Sequence, residues 1–298
     1  MHRRPRFAGL VAGFAAALAV LAIGLPAAAA GPRVSFAIVK TGRTVVQESL
    51  LYAGGDKAAK LDNNFSAFLI RHGDDEFLFD TGLGARIDSQ YAQDMPGWKQ
   101  RFFKYLKPII PARDQLARAG LPPIRRVILS HSHWDHASGV VDFPQAEVWV
   151  TKEELAFIRG GGAWPSQVGA PSIRWRTILF QPRPYRGFAQ SLDLYGDGTV
   201  VLVPQFGHTP GAVGMFVTTS SGRRFFFCGD TVWSAAAIPQ ARPKFWLAGL
   251  LADSDAGRTQ AEIDRMRALQ KADPGLTIVP AHDSRVQARL GFFPNWVE

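Results

Sequence analysis

One cysteine in 298 residues rules out an internal disulfide, so the stability of this chain rests on its core. That cysteine, Cys228, stands in FFFCGDTVW, residues 225–233, behind three phenylalanines, and reads as a small buried apolar residue. A thiol nucleophile needs a neighbouring base and an electropositive, accessible setting, and its sequence neighbours supply neither. There is no repeat of short fixed period, no low-complexity tract and no linker-like stretch, which excludes a solenoid and favours one compact domain. Nor is there a dense basic run of the nucleic-acid-binding kind. The 34 Lys and Arg outnumber 25 acids but are scattered, so no nucleic-acid partner is expected and the surplus reads as solvated surface.

What is present is apolar. A composition of 47% hydrophobic and 11% aromatic residues suffices for an ample core. The first 30 residues stand apart from it: MHRRPR supplies positive charge, Phe7 to Leu25 is almost wholly apolar, and Ala28 to Ala30 closes a small-residue cleavage pattern. Residues 1–30 are therefore expected to be a secretory signal, cleaved before Gly31, with residues 31–298 as the mature domain, periplasmic or secreted. The alternative is an uncleaved anchor, because the apolar stretch approaches the lower limit of a membrane span. Cleavage removes Arg3, Arg4 and Arg6 and lowers the formal charge from +9 to +6, and no membrane contact is expected afterwards.

Along the mature chain, strands are predicted at Val34 to Val39, Ala67 to Arg71 and Glu76 to Phe79, the last two joined in a hairpin at residues 72–75. A helix over Ala112 to Arg118 leads into a strand at Arg126 to Leu129. A further strand, Val148 to Val150, precedes a helix running to Arg159 that Thr151 and Glu154 open as a capping box. Strands at Thr199 to Val203, Gly214 to Thr218, Arg224 to Cys228 and Thr277 to Val279 follow, with a helix opened by a second capping box, Thr259 and Glu262. Two βα-rich halves with antiparallel hairpins imply an α/β fold of face-to-face sheets with outer helices.

The chemistry lies in the histidines. Five of the seven fall at strand ends or loops: His131, His133 and His136 in HSHWDH, His208 in QFGHTPG, and His282 in VPAHDS. In an extended segment His131 and His133 project to one side, and Asp135 and His136 follow where the chain turns and can face a second point. Imidazole and carboxylate are the ligands zinc prefers, and four of them within six residues have no use in a core, so one segment can serve two metals. His72, in the hairpin turn, and His2 read as structural or incidental.

These motifs resemble those of the metallo-β-lactamase superfamily, in that family's order: Asp80 in FLFDTG, HSHWDH, His208, Asp230 and His282. The resemblance implies an αββα sandwich of two mixed sheets with outer helices. It implies two zinc ions per chain, one on His131, His133 and His208, the other on Asp135, His136 and His282, with Asp230 bridging and Asp80 orienting the ligand loop. A water shared by two metals, its pKa lowered towards neutrality, is the nucleophile of such hydrolases. Asp135 is placed to assist proton transfer and Asp230 to complete the catalytic pair.

A bridging Asp230 resembles the lactonase, glyoxalase II and phosphotriesterase-like branches, whereas the family's β-lactamases generally lack it. GHTPG and the motif spacing resemble the acyl-homoserine lactonases, implying a small-molecule lactone or ester substrate, with phosphotriester and thioester hydrolysis as alternatives. A non-catalytic binding module is disfavoured because no ligand position is lost. One departure stands out: Trp233 occupies the place of a tyrosine common in those lactonases. Trp233 is expected either to offer its indole N–H to the substrate or to form a pocket wall, with Phe245, Trp246, Leu247, Leu250 and Leu251 as apolar neighbours.

Overall fold

Alternation along the strands decides which side of each sheet meets the other. In the computed structural model, which describes residues 31–298 together with Met1, His2 and Gly9, residues Pro32–Glu298 form one unit. The expected export signal lies outside the described residues apart from those three positions.

The first sheet has six strands in sequence order: β1 (Val34–Gln47), β2 (Lys60–His72), β3 (Asp75–Phe79), β4 (Arg126–Ile128), β5 (Glu147–Thr151) and β6 (Arg174–Ile178). Pairs β1–β2 and β2–β3 are antiparallel, and β3 through β6 run parallel. The second contains β7 (Leu192–Asp193), β8 (Val200–Pro204), β9 (Val213–Thr218), β10 (Arg224–Phe227) and β11 (Leu276–Val279), with β10 and β11 parallel and the other neighbours antiparallel. Both sheets are mixed, as expected.

Phe225 and Phe227 of β10 point into the space between the sheets, where Phe227 meets Phe68 edge-on with ring centres 4.9 Å apart. Phe226 and Cys228, one residue out of phase, face Ile263 and Met266 of the helix Ala256–Ala272. On the first sheet Phe36 and Ile38 point inward, while Ala37 and Val39 pack under the helix Ala112–Arg118. Each fully buried phenylalanine contributes about 1.5–3 kcal/mol by leaving water, and this period-two pattern yields four layers, helix–sheet–sheet–helix.

Local expectations held unevenly. The helix Ala112–Arg118 and the hairpin between β2 and β3 stand where the residues place them. Strand β1 runs on to Gln47, past an irregularity between Lys40 and Gly42. The second capping box is a misreading. The helix begins at Ala256 with Asp255 as its cap, and Thr259 lies one turn inside, its hydroxyl donating back to Asp255 O at 2.9 Å. His72 stacks on Tyr195 and bonds Asp197 at 2.7 Å, a structural role.

Candidate metal centre

Every expected ligand follows the carboxyl end of a strand. His131, His133, Asp135 and His136 come after β4, His208 after β8, Asp230 after β10 and His282 after β11. Because β3 runs parallel to β4 and β10 to β11, these ends come in pairs at one edge of the sandwich. Gly229, at φ +50, makes the turn that presents Asp230, and a Cβ there would stand 3.1 Å from Ser130.

The donors converge in three overlapping groups, each with its atoms within 4.8 Å of one another: His131, His133 and His208; His131, His136 and Asp230; Asp135, His136 and His282. All seven residues are therefore brought to one place. His208 Nε2 lies 3.1 Å from His131 Nε2 and 2.9 Å from His133 Nδ1. His282 Nε2 lies 3.2 Å from Asp135 Oδ2 and 3.1 Å from Asp230 Oδ1.

This arrangement fits a cation. Nδ1 of His208 is held by Asp253 Oδ1 at 2.7 Å and therefore carries the proton, leaving Nε2 as a bare lone pair. His131 Nδ1 bonds Ser130 Oγ at 3.0 Å, whose own proton goes to Asp80 Oδ2, so His131 Nε2 is bare as well. Burial, reinforced by the neighbouring His136 and His208, holds His131 well below the usual imidazole range. Burial and His208 bring His133 down to about 3. Neutral imidazoles with lone pairs turned on one another repel unless a positive centre lies among them. Similarly, His136 Nε2 and Asp230 Oδ1 are buried and 3.2 Å apart, and neither makes a well-aligned hydrogen bond, so both atoms are free to turn to a shared cation.

The carboxylate side behaves in the opposite sense. Burial would lower His282, but Asp230 and Asp135 outweigh it and raise it to about 10. His136 is likewise raised, against burial, by Asp230, Asp80 and Asp135. Asp230, despite burial, is held well below the carboxylate range by His282 and His136. Cys228 is raised by burial, which removes it as a nucleophile.

The supporting residues were only partly visible in the sequence. Asp80, expected there, adopts φ +61 and is fully buried; its oxygens accept from Ser130 N, Ser130 Oγ and His136 Nδ1 at 2.7, 2.7 and 2.8 Å. Asn64 O accepts from His282 Nδ1 at 2.6 Å. Missed were Asp253 behind His208, and Lys244, which donates to Asp253 at 2.7 Å and is 3% exposed. Glu154 was read only as a capping residue. Thr151 does cap the helix Lys152–Arg159, but the Glu154 carboxylate turns to Ser132 N and Oγ at 2.7 and 2.6 Å and to Thr209 Oγ1 and Gly211 N at 2.6 and 3.2 Å. It thus ties the HSHWDH loop to the His208 loop.

A cavity of about 780 Å³ opens over these donors, with His133, Asp135, His208, Asp230 and His282 in its lining. Its walls include Phe65, Met95, Trp134, Trp233 and Phe245. The indole N–H of Trp233 donates to Asp230 Oδ2 at 2.8 Å, so that donor is directed at the ligand carboxylate. Trp246 is a correction. On the helix Trp246–Ala252, Leu247 and Leu251, four residues apart, face this cavity, whereas Trp246 and Leu250 face a second groove and are 69% and 72% exposed. The helical turn of about 100° per residue separates the two pairs.

Residues 64–282 match the model of the metallo-beta-lactamase superfamily. A probable metallo-hydrolase of Mycobacterium tuberculosis is 30% identical over 242 residues, 72% of this chain and 73% of that protein. N-acyl homoserine lactonase AttM of Agrobacterium fabrum is 24% identical over 247 residues, 77% and 85% of the two chains. Among solved structures, a variant of B. thuringiensis AiiA with N-decanoyl-L-homoserine bound at its active site superposes with a TM-score of 0.69 at 18% identity, covering 90% of this chain and 100% of that one. All seven converging donors, His131 to His282, fall within the matched residues 64–282, and the chain belongs to the metallo-β-lactamase superfamily of metal-dependent hydrolases.

Proposed function

We propose that this protein hydrolyses a lactone or a related carboxylic ester with two zinc ions. His131, His133 and His208 would hold one ion and Asp135, His136 and His282 the other, with Asp230 placed between the two groups. The observation that carries the reading is the position of the donor cluster: of the seven converging donors, His133, Asp135, His208, Asp230 and His282 line the floor of a largely apolar cavity. When bound, the metals supply an activated water and polarise the ester carbonyl.

The chain's own residues do the rest. Phe65, Met95, Phe245, Leu247 and Leu251 receive an acyl chain and exclude water around the reacting carbonyl. Asp135 borders the cavity with Oδ2 3.2 Å from His282, a position from which its carboxylate can take the proton given up by the attacking water and pass it to the departing alkoxide oxygen. Trp233 holds Asp230 in register through its N–H. The likeness to a lactonase, which extends over 77% of this chain, supports a lactone. Residues 1–30 are proposed to direct export, which an amino terminus near Gly31 on natively expressed protein would bear out.

The test is a hydrolysis screen of purified protein, stripped and then reloaded with zinc, against lactones, aryl esters, thioesters, phosphotriesters and β-lactams. Two metals per chain and zinc-restored turnover of lactones or aryl carboxylic esters are expected. Turnover confined to phosphotriesters or β-lactams would overturn the substrate, and at most one metal per chain at saturation would overturn the binuclear centre.

A further inference from the structure

Ten large apolar residues are exposed among the described residues, and eight of them are not scattered: Val45, Leu50, Trp98, Phe102, Leu106, Ile110, Trp246 and Leu250. Val45, Leu50 and Phe102 line the opening over the donors, and Leu50, Trp246 and Leu250 line the adjoining groove. Leu106 and Ile110 are pinned alongside by backbone bonds to Arg43 O and Thr41 O, both 2.8 Å, next to Val45 on β1, and Trp98 stands between Pro96 and Lys99 of the first lining. Contiguous apolar exposure of this kind marks an interaction surface.

The helix between the two openings sharpens the point. Trp246–Ala252 reads WLAGLLA, without a charged residue, and none of its residues is buried. A helix apolar on every face belongs inside a core or a membrane boundary, not in water. Its outer side, Trp246 and Leu250, is the part left to water.

Charge identifies its partner. Trp98, Phe102, Leu106 and Ile110 alternate with Lys99, Arg101, Lys104 and Lys107, so the scatter of cations along the chain as a whole does not describe this stretch. Among the described residues Lys57, Lys60, Lys99, Arg101 and Lys104, which line the two openings, take part in no ion pair. The acids in the same linings are Asp94, which accepts from Ser166, and Asp135, Asp230 and Asp253 of the metal centre and its support. A second copy of this chain would bring these cations against their own kind. An anionic lipid surface answers both features, taking the aromatic and aliphatic side chains into the headgroup boundary and pairing the cations with phosphates.

We propose that this face, the helix Trp246–Ala252 with the stretch Trp98–Ile110, docks on anionic lipid and turns the mouth of the cavity towards the bilayer. Ester substrates with long acyl chains then reach the metal centre from the membrane. The docking itself does not depend on the ester reading and is measured without turnover.

The experiment is co-sedimentation of residues 31–298, which contain the whole folded unit and leave out the apolar stretch Phe7 to Leu25, as wild type and Trp98→Ser/Trp246→Ser, with vesicles of phosphatidylcholine alone or with 30% phosphatidylglycerol. Neither tryptophan lines the metal cavity, so metal content and turnover of a water-soluble ester serve as controls for folding. Wild type should bind the anionic vesicles at least tenfold more tightly than the neutral ones, lose that preference in high salt, and bind at least tenfold more tightly than the double variant. Equal binding of wild type and variant would place any membrane contact elsewhere and overturn the proposal, as would equal binding to the two vesicle types. Light scattering that shows a wild-type dimer and a monomeric variant would make a second copy the occupant instead.

Discussion

Lys244 Nζ and His208 Nδ1 both donate, each at 2.7 Å, to the same oxygen of Asp253. A buried cation is thereby tethered, through one carboxylate atom, to a ligand of the metal centre. Removing one partner of a buried pair leaves the other uncompensated, at a cost of about 3–5 kcal/mol. Lys244→Ala should therefore lower the unfolding free energy by about that amount in a denaturant titration. Asp253→Ala should in addition weaken metal binding roughly 10- to 100-fold by freeing the His208 ring, read by competition with a chromogenic chelator. Unchanged affinity would remove Asp253 from the centre's support.

Glu154→Gln tests the tie between the two ligand loops. Hydroxyls of Ser132 and Thr209 can rotate to accept, but the backbone N–H groups of Ser132 and Gly211 cannot, and they face different carboxylate oxygens. Whichever way the amide is turned, its NH2 group meets an N–H donor. The substitution should cost about 1–3 kcal/mol and loosen the metal site, measured by thermal unfolding with and without zinc. A fully neutral result would reduce Glu154 to a helix residue.

Metal binding should release protons. His282 is raised to about 10 in the metal-free protein, so at pH 7 it carries a proton that a metal must displace from the ring. Affinity should then rise by at least about tenfold per pH unit from pH 7 towards 10, and more steeply wherever His136, also raised, still holds a proton that the metal displaces. The same sign applies to stability. A raised folded pKa contributes fully below the ordinary histidine value, and the metal-free protein loses that contribution as pH rises through about 10. Calorimetry of zinc binding in buffers of different ionisation enthalpy reads the released protons, and heats independent of buffer would contradict this account.

Trp233→Phe removes the indole N–H from Asp230 while keeping most of the bulk. Loss of a hydrogen bond to a charged acceptor is worth about 1.5–3 kcal/mol, so turnover should fall roughly 10- to 100-fold with metal affinity also reduced. A loss in turnover with metal affinity untouched would instead mean that the N–H serves the substrate, one of the two roles, donor or pocket wall, expected from sequence.

The convergence of the candidate donors was legible in the sequence because the signal is local. Three histidines and an aspartate within HSHWDH have no use in a core, and extended-chain geometry divides them between two directions. The sheets were legible for a similar reason: alternate residues of the phenylalanine strand face opposite layers, and that period is written in the chain. Thr259 and Glu262 show where local pattern misleads, since their spacing imitates a cap inside a helix that Asp255 had already begun.

What only the tertiary structure decided is the support behind the ligands and the division of the pocket wall. Asp253 lies 45 residues from His208, and Glu154 lies 55 from Thr209. A buried carboxylate's partners arrive from other strands and leave no periodic trace near it. Trp246 and Leu247 are neighbours in sequence, yet the turn of one short helix, set by its neighbours in the fold, sends one to the metal cavity and the other to the outer groove. The sequence carries the chemistry of the ligands because coordination needs particular residue types; which buried carboxylates hold them, and which apolar residues surround the substrate, follows from packing between segments that are distant along the chain.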